Sequence, residues 1–176
     1  MKSINNYISE KLVINRNTKL QYEYFPKTKE ELQDIIEQRI EEDGNECNLN
    51  DIDVSKITDM SYLFIRQSNF NGDISEWDVH NVEIMQGMFE RSTFNGDISN
   101  WDVSNVNSMY CMFYHSKFNK DISKWDVSNV EIMSGMFEES NFNQDISNWD
   151  VSNVKYINNI FYHSPLQDKE KEWWNK

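Results

Sequence analysis

The stretch Ser99–Val106 reads SNWDVSNV, and it decides the fold because it recurs. SEWDVHNV begins at Ser75, SKWDVSNV at Ser123, and SNWDVSNV again at Ser147. Outward from the phrase, whole columns repeat at a 24-residue period. Phe70, Phe94, Phe118 and Phe142 form one column, followed by Ile74, Ile98, Ile122 and Ile146. Trp77, Trp101, Trp125 and Trp149 come next, then the valines from Val79 and from Val82. Met85, Met109, Met133 and Ile157 lead to Phe89, Phe113, Phe137 and Phe161. A degenerate unit, LNDIDVSKITDMSYLF from Leu49, precedes them at an offset of 25, with Ile52 in the Trp slot and Asp53 in the Asp slot. A fixed period of about 20 to 50 residues marks a solenoid, propeller or array, and about five units suffice to bury a continuous core.

Spacing inside one unit sets its expected path. Ile98-x-x-Trp101-x-Val103 matches the spacing of leucine-rich repeats. Residues two apart on an extended segment share a face, so Asp102 points away from Trp101 and Val103. Val106, Met109, Met112 and Phe113 then follow a helical stripe, and Ser128 with Glu131 makes a capping box. Gly87, Cys111 and Gly135 share a column, which implies close approach of neighbouring units. FNGD and its variants turn the chain back. The expected fold class is α/β: a right-handed leucine-rich-repeat-like solenoid of about five 24-residue coils. Short parallel strands would line one face and short helices the other.

The ends must differ from the body, because a repeat stack exposes its core there. Residues 1–45 are assigned as an N-terminal cap. KLVINRNTKLQYEYF reads as one or two strands, and a helix over about 28–43 starts at Thr28, with Glu31 completing a capping box and Gly44 as the stop. Leu32, Ile35, Ile36 and Ile40 form its apolar stripe. Residues 46–165 are the repeat body, and 166–176 a C-terminal cap or tail in which Trp173 and Trp174 could fold over the last coil.

Composition narrows the function classes. The 176 residues carry a net charge of −13, and the repeat body holds 18 acidic against 7 basic residues. That balance disfavours direct binding to nucleic acid or to an anionic membrane. No apolar run is long enough to span a bilayer, and no signal-peptide core is visible, so a cytoplasmic location is expected. Cys47 and Cys111 form no paired motif. No triad, phosphate loop or paired acid/base site is present, so no enzyme, cofactor or metal is expected. His115 and His163 share a column two coils apart, too far to meet on one zinc ion.

Two aspartate columns carry much of the charge. Asp78, Asp102, Asp126 and Asp150, extended by Asp53, are placed on the sheet face. Asp73, Asp97, Asp121 and Asp145 are placed in the turn. Two carboxylates about 5 Å apart repel by about 0.8 kcal/mol even in water, so such a ladder needs compensation. Backbone N–H groups and neighbouring serines can supply it, which would make the columns structural. The alternative is a surface that meets a basic partner. The flanking columns are less uniform: Glu76, Asn100, Lys124 and Asn148 on one side, and His80 with its serine counterparts on the other. Where repeats differ, the fold does not dictate the residue.

The phrase FNxDISxWDVSNVxxMxxMF resembles bacterial surface-protein repeats of about 26 residues, termed BspA-like and grouped with leucine-rich repeats. That resemblance covers Asn50 to about Ser164 and implies adhesion or protein binding, with no catalytic residues. The expected function is a non-enzymatic, monomeric module that binds a protein through its acidic face, which a basic partner would complement. Alternatives are an acidic nucleic-acid-mimicking inhibitor of a basic-groove protein, and a surface adhesin-type or self-assembling structural protein.

Overall fold

The computed structural model describes residues 22–169 and Trp173. Helix α1 (Lys29–Asp43) opens at Thr28, whose side chain accepts the Glu31 N–H at 3.2 Å, while the Glu31 carboxylate accepts the Lys27 N–H at 2.8 Å. It stops at Gly44, whose φ of 86° a side chain would resist. Leu32, Ile35, Ile36 and Ile40 are buried on one face. Before the helix, Tyr24 bridges Ile52 in parallel, and Glu23 N–H donates to Asp51 O at 2.7 Å. The expected strands over the N-terminal stretch up to Gln21, and Trp174, lie outside the described residues.

The expected α/β class is overturned. Among the described residues α1 is the one helix, and the parallel pairings are isolated bridges that never extend into a strand. Each repeat is built from turns. In residues 97–120, backbone bonds join Trp101 to Ile98 (3.2 Å), Val106 to Val103 (2.9 Å), Met112 to Met109 (3.2 Å), Tyr114 to Cys111 (3.1 Å) and Ser116 to Phe113 (3.2 Å). The right-handed crossover rule acts on strands joined by helices, and these coils contain neither.

The phrase itself explains the first two turns. Asp97-Ile98-Ser99-Asn100-Trp101 and Asp102-Val103-Ser104-Asn105-Val106 obey one five-residue rule. The aspartate Oδ1 accepts the N–H of the serine two residues on, at 3.0 and 3.1 Å. The residue after Asp and the fifth residue both point inward: Ile98, Trp101, Val103 and Val106 are at most 4% exposed. Trp101 and Val103 do share the core side with Asp102 outside, but a turn closes on each flank and no strand can grow.

The helical stripe fails for a different reason. Val106, Met109, Met112 and Phe113 are all buried, yet Cys111 has φ 52° and His115 φ 53°, the left-handed region. Alternate N–H groups leave the coil altogether. Met109, Cys111, Phe113 and His115 donate to Ile132, Ser134, Met136 and Glu138 of the next coil at 2.8–3.0 Å. A helix would spend those donors four residues back. The Gly87, Cys111, Gly135 column, together with Tyr62 and Asn159, is therefore a left-handed corner. Glycine suits it because non-glycine residues pay about 1–2 kcal/mol there.

Three side-chain ladders stitch coil to coil. The indole N–H groups of Trp77, Trp101, Trp125 and Trp149 donate to Leu49, Ile74, Ile98 and Ile122 carbonyls at 2.9–3.2 Å. Asn71, Asn95 and Asn119 each accept the backbone N–H of the next asparagine at 2.7–2.9 Å. Asn81, Asn105, Asn129 and Asn153 donate to backbone carbonyls one coil back at 2.7–2.8 Å. Inside, Phe89, Phe113, Phe137 and Phe161 stack with ring centres 5.6–5.9 Å apart. Such pairs add about 0.5–1.5 kcal/mol beyond burial. Trp173 meets Phe161 edge-on at 6.1 Å and covers part of the last coil.

Candidate functional site

Asp78, Asp102, Asp126 and Asp150 stand at one exposed corner of successive coils, with Asp53 half-buried below them. Each caps its turn. Oδ1 accepts the N–H of Ser55, His80, Ser104, Ser128 or Ser152 at 3.0–3.4 Å. Ser104 adds its hydroxyl at 2.6 Å, and His80 turns its Nδ1 to Asp78 at 2.6 Å. The second column does the same work: Asp73, Asp97, Asp121 and Asp145 accept the N–H of Ser75, Ser99, Ser123 and Ser147 at 2.9–3.0 Å. The two columns are thus one device used twice per coil.

Those bonds favour the charged form. The Ser104, Ser128 and Ser152 hydroxyls, then their N–H groups, hold Asp102, Asp126 and Asp150 below the ordinary carboxylate range. At Asp97, Asp121 and Asp145 the serine N–H leads and the hydroxyl follows. Within the file, Asp102 and Asp150 push Asp126 the other way by like charge, and the turn bonds win. Asp102, Asp126 and Asp150 therefore keep their charge while facing solvent.

The flanking residues divide. Glu76 and Asn100 are exposed, although the Glu76 N–H is held by Asn50 Oδ1 at 2.9 Å. Asn148 is also exposed, but its side chain donates back to Ser123 O at 2.9 Å, so it is partly a stitch. Lys124 lines a shallow cleft with Asp97, Ser99, Lys120 and Asp121. The exposed Asp and flanking positions share one side of the stack, with two lysines set into an acidic surround. Among the described residues, no three His, Cys, Asp or Glu side chains converge to hold a metal ion.

A second surface escaped the reading of the phrase. Along the left-handed corners, Tyr110 is 41% exposed and Tyr162 45% exposed. Arg91 lies over the Tyr114 ring at 5.5 Å, and His115 meets Glu139 of the next coil at 3.1 Å. The backbone makes the continuous ladder here, and side chains add single links between coils, such as His115 to Glu139 and Gln86 Nε2 to the Tyr62 hydroxyl at 2.6 Å. The signal was present in the sequence: the column Gln86, Tyr110, Ser134, Asn158 changes at every repeat.

The cap is anchored through Arg39. It binds Asp43 at 2.9 Å, Asp51 at 2.6 Å and Asn48 O at 3.1 Å, and lies 5.4 Å from the Tyr24 ring centre. Burial works against its charge, but the two carboxylates prevail and hold it protonated. No helix among the described residues is long and apolar enough to cross a membrane.

The sequence pattern of one family, described as "Mycoplasma protein of unknown function, DUF285", matches residues 31–139 and 114–176. No curated protein and no solved structure matches the chain.

Proposed function

The chain belongs to the DUF285 family of Mycoplasma proteins of unknown function, and from that premise we propose that it is a non-enzymatic module that binds a protein partner through its acidic corner. One observation carries this reading. A uniform file of outward carboxylates, Asp78 to Asp150, is flanked by exposed positions that differ from coil to coil: Glu76, Asn100, Lys124 and Asn148. The file supplies a regular negative field, and the variable column supplies specificity on a rigid stack. A basic protein surface is the complementary partner. The likeness of the repeated phrase to BspA-like surface repeats supports a binding role, of adhesin type where the protein is displayed.

The test is affinity capture from host extract with wild type, with Asp102→Lys plus Asp126→Lys, and with Lys124→Glu. The partner should be lost with the double variant and altered with the lysine variant. Retention by both would refute the acidic corner as the site. The regular spacing of the carboxylates also supports a second reading, in which the file occupies a nucleic-acid groove of its partner. Competition by duplex DNA and steep weakening by salt would then be found.

A further inference from the structure

We propose that the last coil is a self-association edge on which two copies of this chain meet about a two-fold axis at Tyr156. The inner coils show what that edge lacks. Met85, Met109 and Met133 donate their N–H groups forward to Ser108, Ile132 and Tyr156 carbonyls at 2.8–2.9 Å. The carbonyls two residues earlier, Glu83, Asn107 and Glu131, accept from Asn107, Glu131 and Lys155 at 2.8–2.9 Å. In the last coil the corresponding groups are the Ile157 N–H and the Lys155 carbonyl. No described residue bonds to either.

The chain cannot continue the ladder itself at its next step. Thr93, Lys117 and Asn141 each donate an N–H to the serine carbonyl one coil back, at 2.8–3.1 Å. Pro165 holds the following place in that register and has no N–H. The core also opens here. Val127, Val130 and Met133 are at most 1% exposed, whereas Val151, Val154 and Ile157 are only partly buried. Tyr156, at 56%, is the most exposed of the large apolar side chains described.

The opposite end of the stack is closed by α1 and by the Tyr24–Ile52 bridge, so head-to-tail growth has no second face. A second copy turned through a two-fold axis is the occupant that fits. With Tyr156 opposite Tyr156 in antiparallel register, Ile157 N–H of each copy reaches the Lys155 carbonyl of the other, reciprocally. The two tyrosines form a close cross-strand pair, and the partly exposed valines and isoleucine are covered. Lys155 is paired with Glu131 at 2.8 Å, so the two lysines do not meet as bare charges. The net charge of −13 on each copy opposes association, and salt therefore strengthens it.

Sedimentation velocity of the 176-residue chain over a concentration series, at low and raised salt, tests this without any other partner present. The expected result is a monomer–dimer equilibrium that tightens with salt and stops at the dimer. Tyr156→Asp, a change at an exposed side chain, should weaken the dimer by about tenfold or more through paired like charges. Tyr110→Asp, at an exposed tyrosine inside the stack, should leave it unchanged. A monomer under all conditions, masses beyond the dimer, or a dimer indifferent to Tyr156→Asp would overturn the proposal. Because no partner protein enters the experiment, none of these results bears on the acidic corner.

Discussion

The indole Nε1 of Trp101 donates to the carbonyl oxygen of Ile74 at 3.1 Å, across 27 residues of chain. The invariance of the Trp column therefore reflects two duties at once: filling the core and closing a bond between coils. Trp125→Phe separates them. It keeps an aromatic ring in the stack but removes one of two donors to the Ile98 carbonyl, the indole at 3.1 Å, while the Trp101 N–H stays at 3.2 Å. Losing one such bond from an acceptor that keeps another costs about 0.5–1.5 kcal/mol. Urea unfolding should show a loss of that size, while Trp125→Ala, which also opens a cavity, should lose about 3–5 kcal/mol.

Gly87 and Gly135 occupy the same left-handed corner, at φ 59° and 65°, but with different neighbours. A methyl group on Gly87 would fall 2.3 Å from the Tyr62 ring, which must move aside. On Gly135 it would fall 2.9 Å from the Cys111 sulfur. Both alanine variants pay the backbone strain of about 1–2 kcal/mol. Gly87→Ala should be the more destabilised of the two in thermal unfolding, and it should also break the 2.6 Å bond from Gln86 to the Tyr62 hydroxyl. Equal losses would mean that the Tyr62 ring swings away freely.

Arg39 joins the helical cap to the first coil through Asp51 at 2.6 Å. Among the described residues Asp51 Oδ1 is buried with no hydrogen-bond partner, so the carboxylate depends on the guanidinium beside its other oxygen. Arg39→Ala should destabilise by about 2–3 kcal/mol. Arg39→Ala combined with Asp51→Asn should recover part of that loss, because no unpaired charge remains. Hydrogen exchange should show α1 opening in the single variant before the inner coils do.

How much of this was legible depends on which residues carry the signal. The cap helix is written locally: Thr28, Glu31 and Gly44 mark its ends, and Leu32, Ile35, Ile36 and Ile40 its buried face. The core columns were legible as well, since inwardness follows from periodicity. The backbone path was not. Ile98-x-x-Trp101-x-Val103 has the same apolar spacing whether the chain runs as a strand or as two capped turns. What separates the two is the Asp-x-Ser pair at Asp97 and again at Asp102, a turn signal that the strand reading treated as surface. Likewise Val106 to Phe113 keeps a helical stripe, and only the glycines of one column hinted at the left-handed corner. At the candidate site, the exposure of Asp102 could be read from alternation with Trp101 and Val103. Both Ser104 bonds fall on one of its oxygens and make that oxygen structural, which only atomic geometry shows.

The same serine bonds give the fold an acid limit. Asp102, Asp126 and Asp150, and likewise Asp97, Asp121 and Asp145, titrate below the ordinary value of 3.8 in the folded chain because the serine donors favour the carboxylate. A group whose folded value is depressed binds its proton more readily when unfolded. Its contribution is therefore fully present above the unfolded value and is lost as pH falls through the folded one. Six such groups titrating together predict that urea stability holds from neutral pH down to about pH 5 and then declines steadily toward about pH 2. Relief of like-charge repulsion along the file acts in the opposite direction, and the balance can be measured. Asp97→Asn with Asp121→Asn, both outside the acidic corner, should lower stability at neutral pH and flatten the acid decline. A decline of unchanged steepness in that double variant would assign acid unfolding to groups other than the turn-capping aspartates.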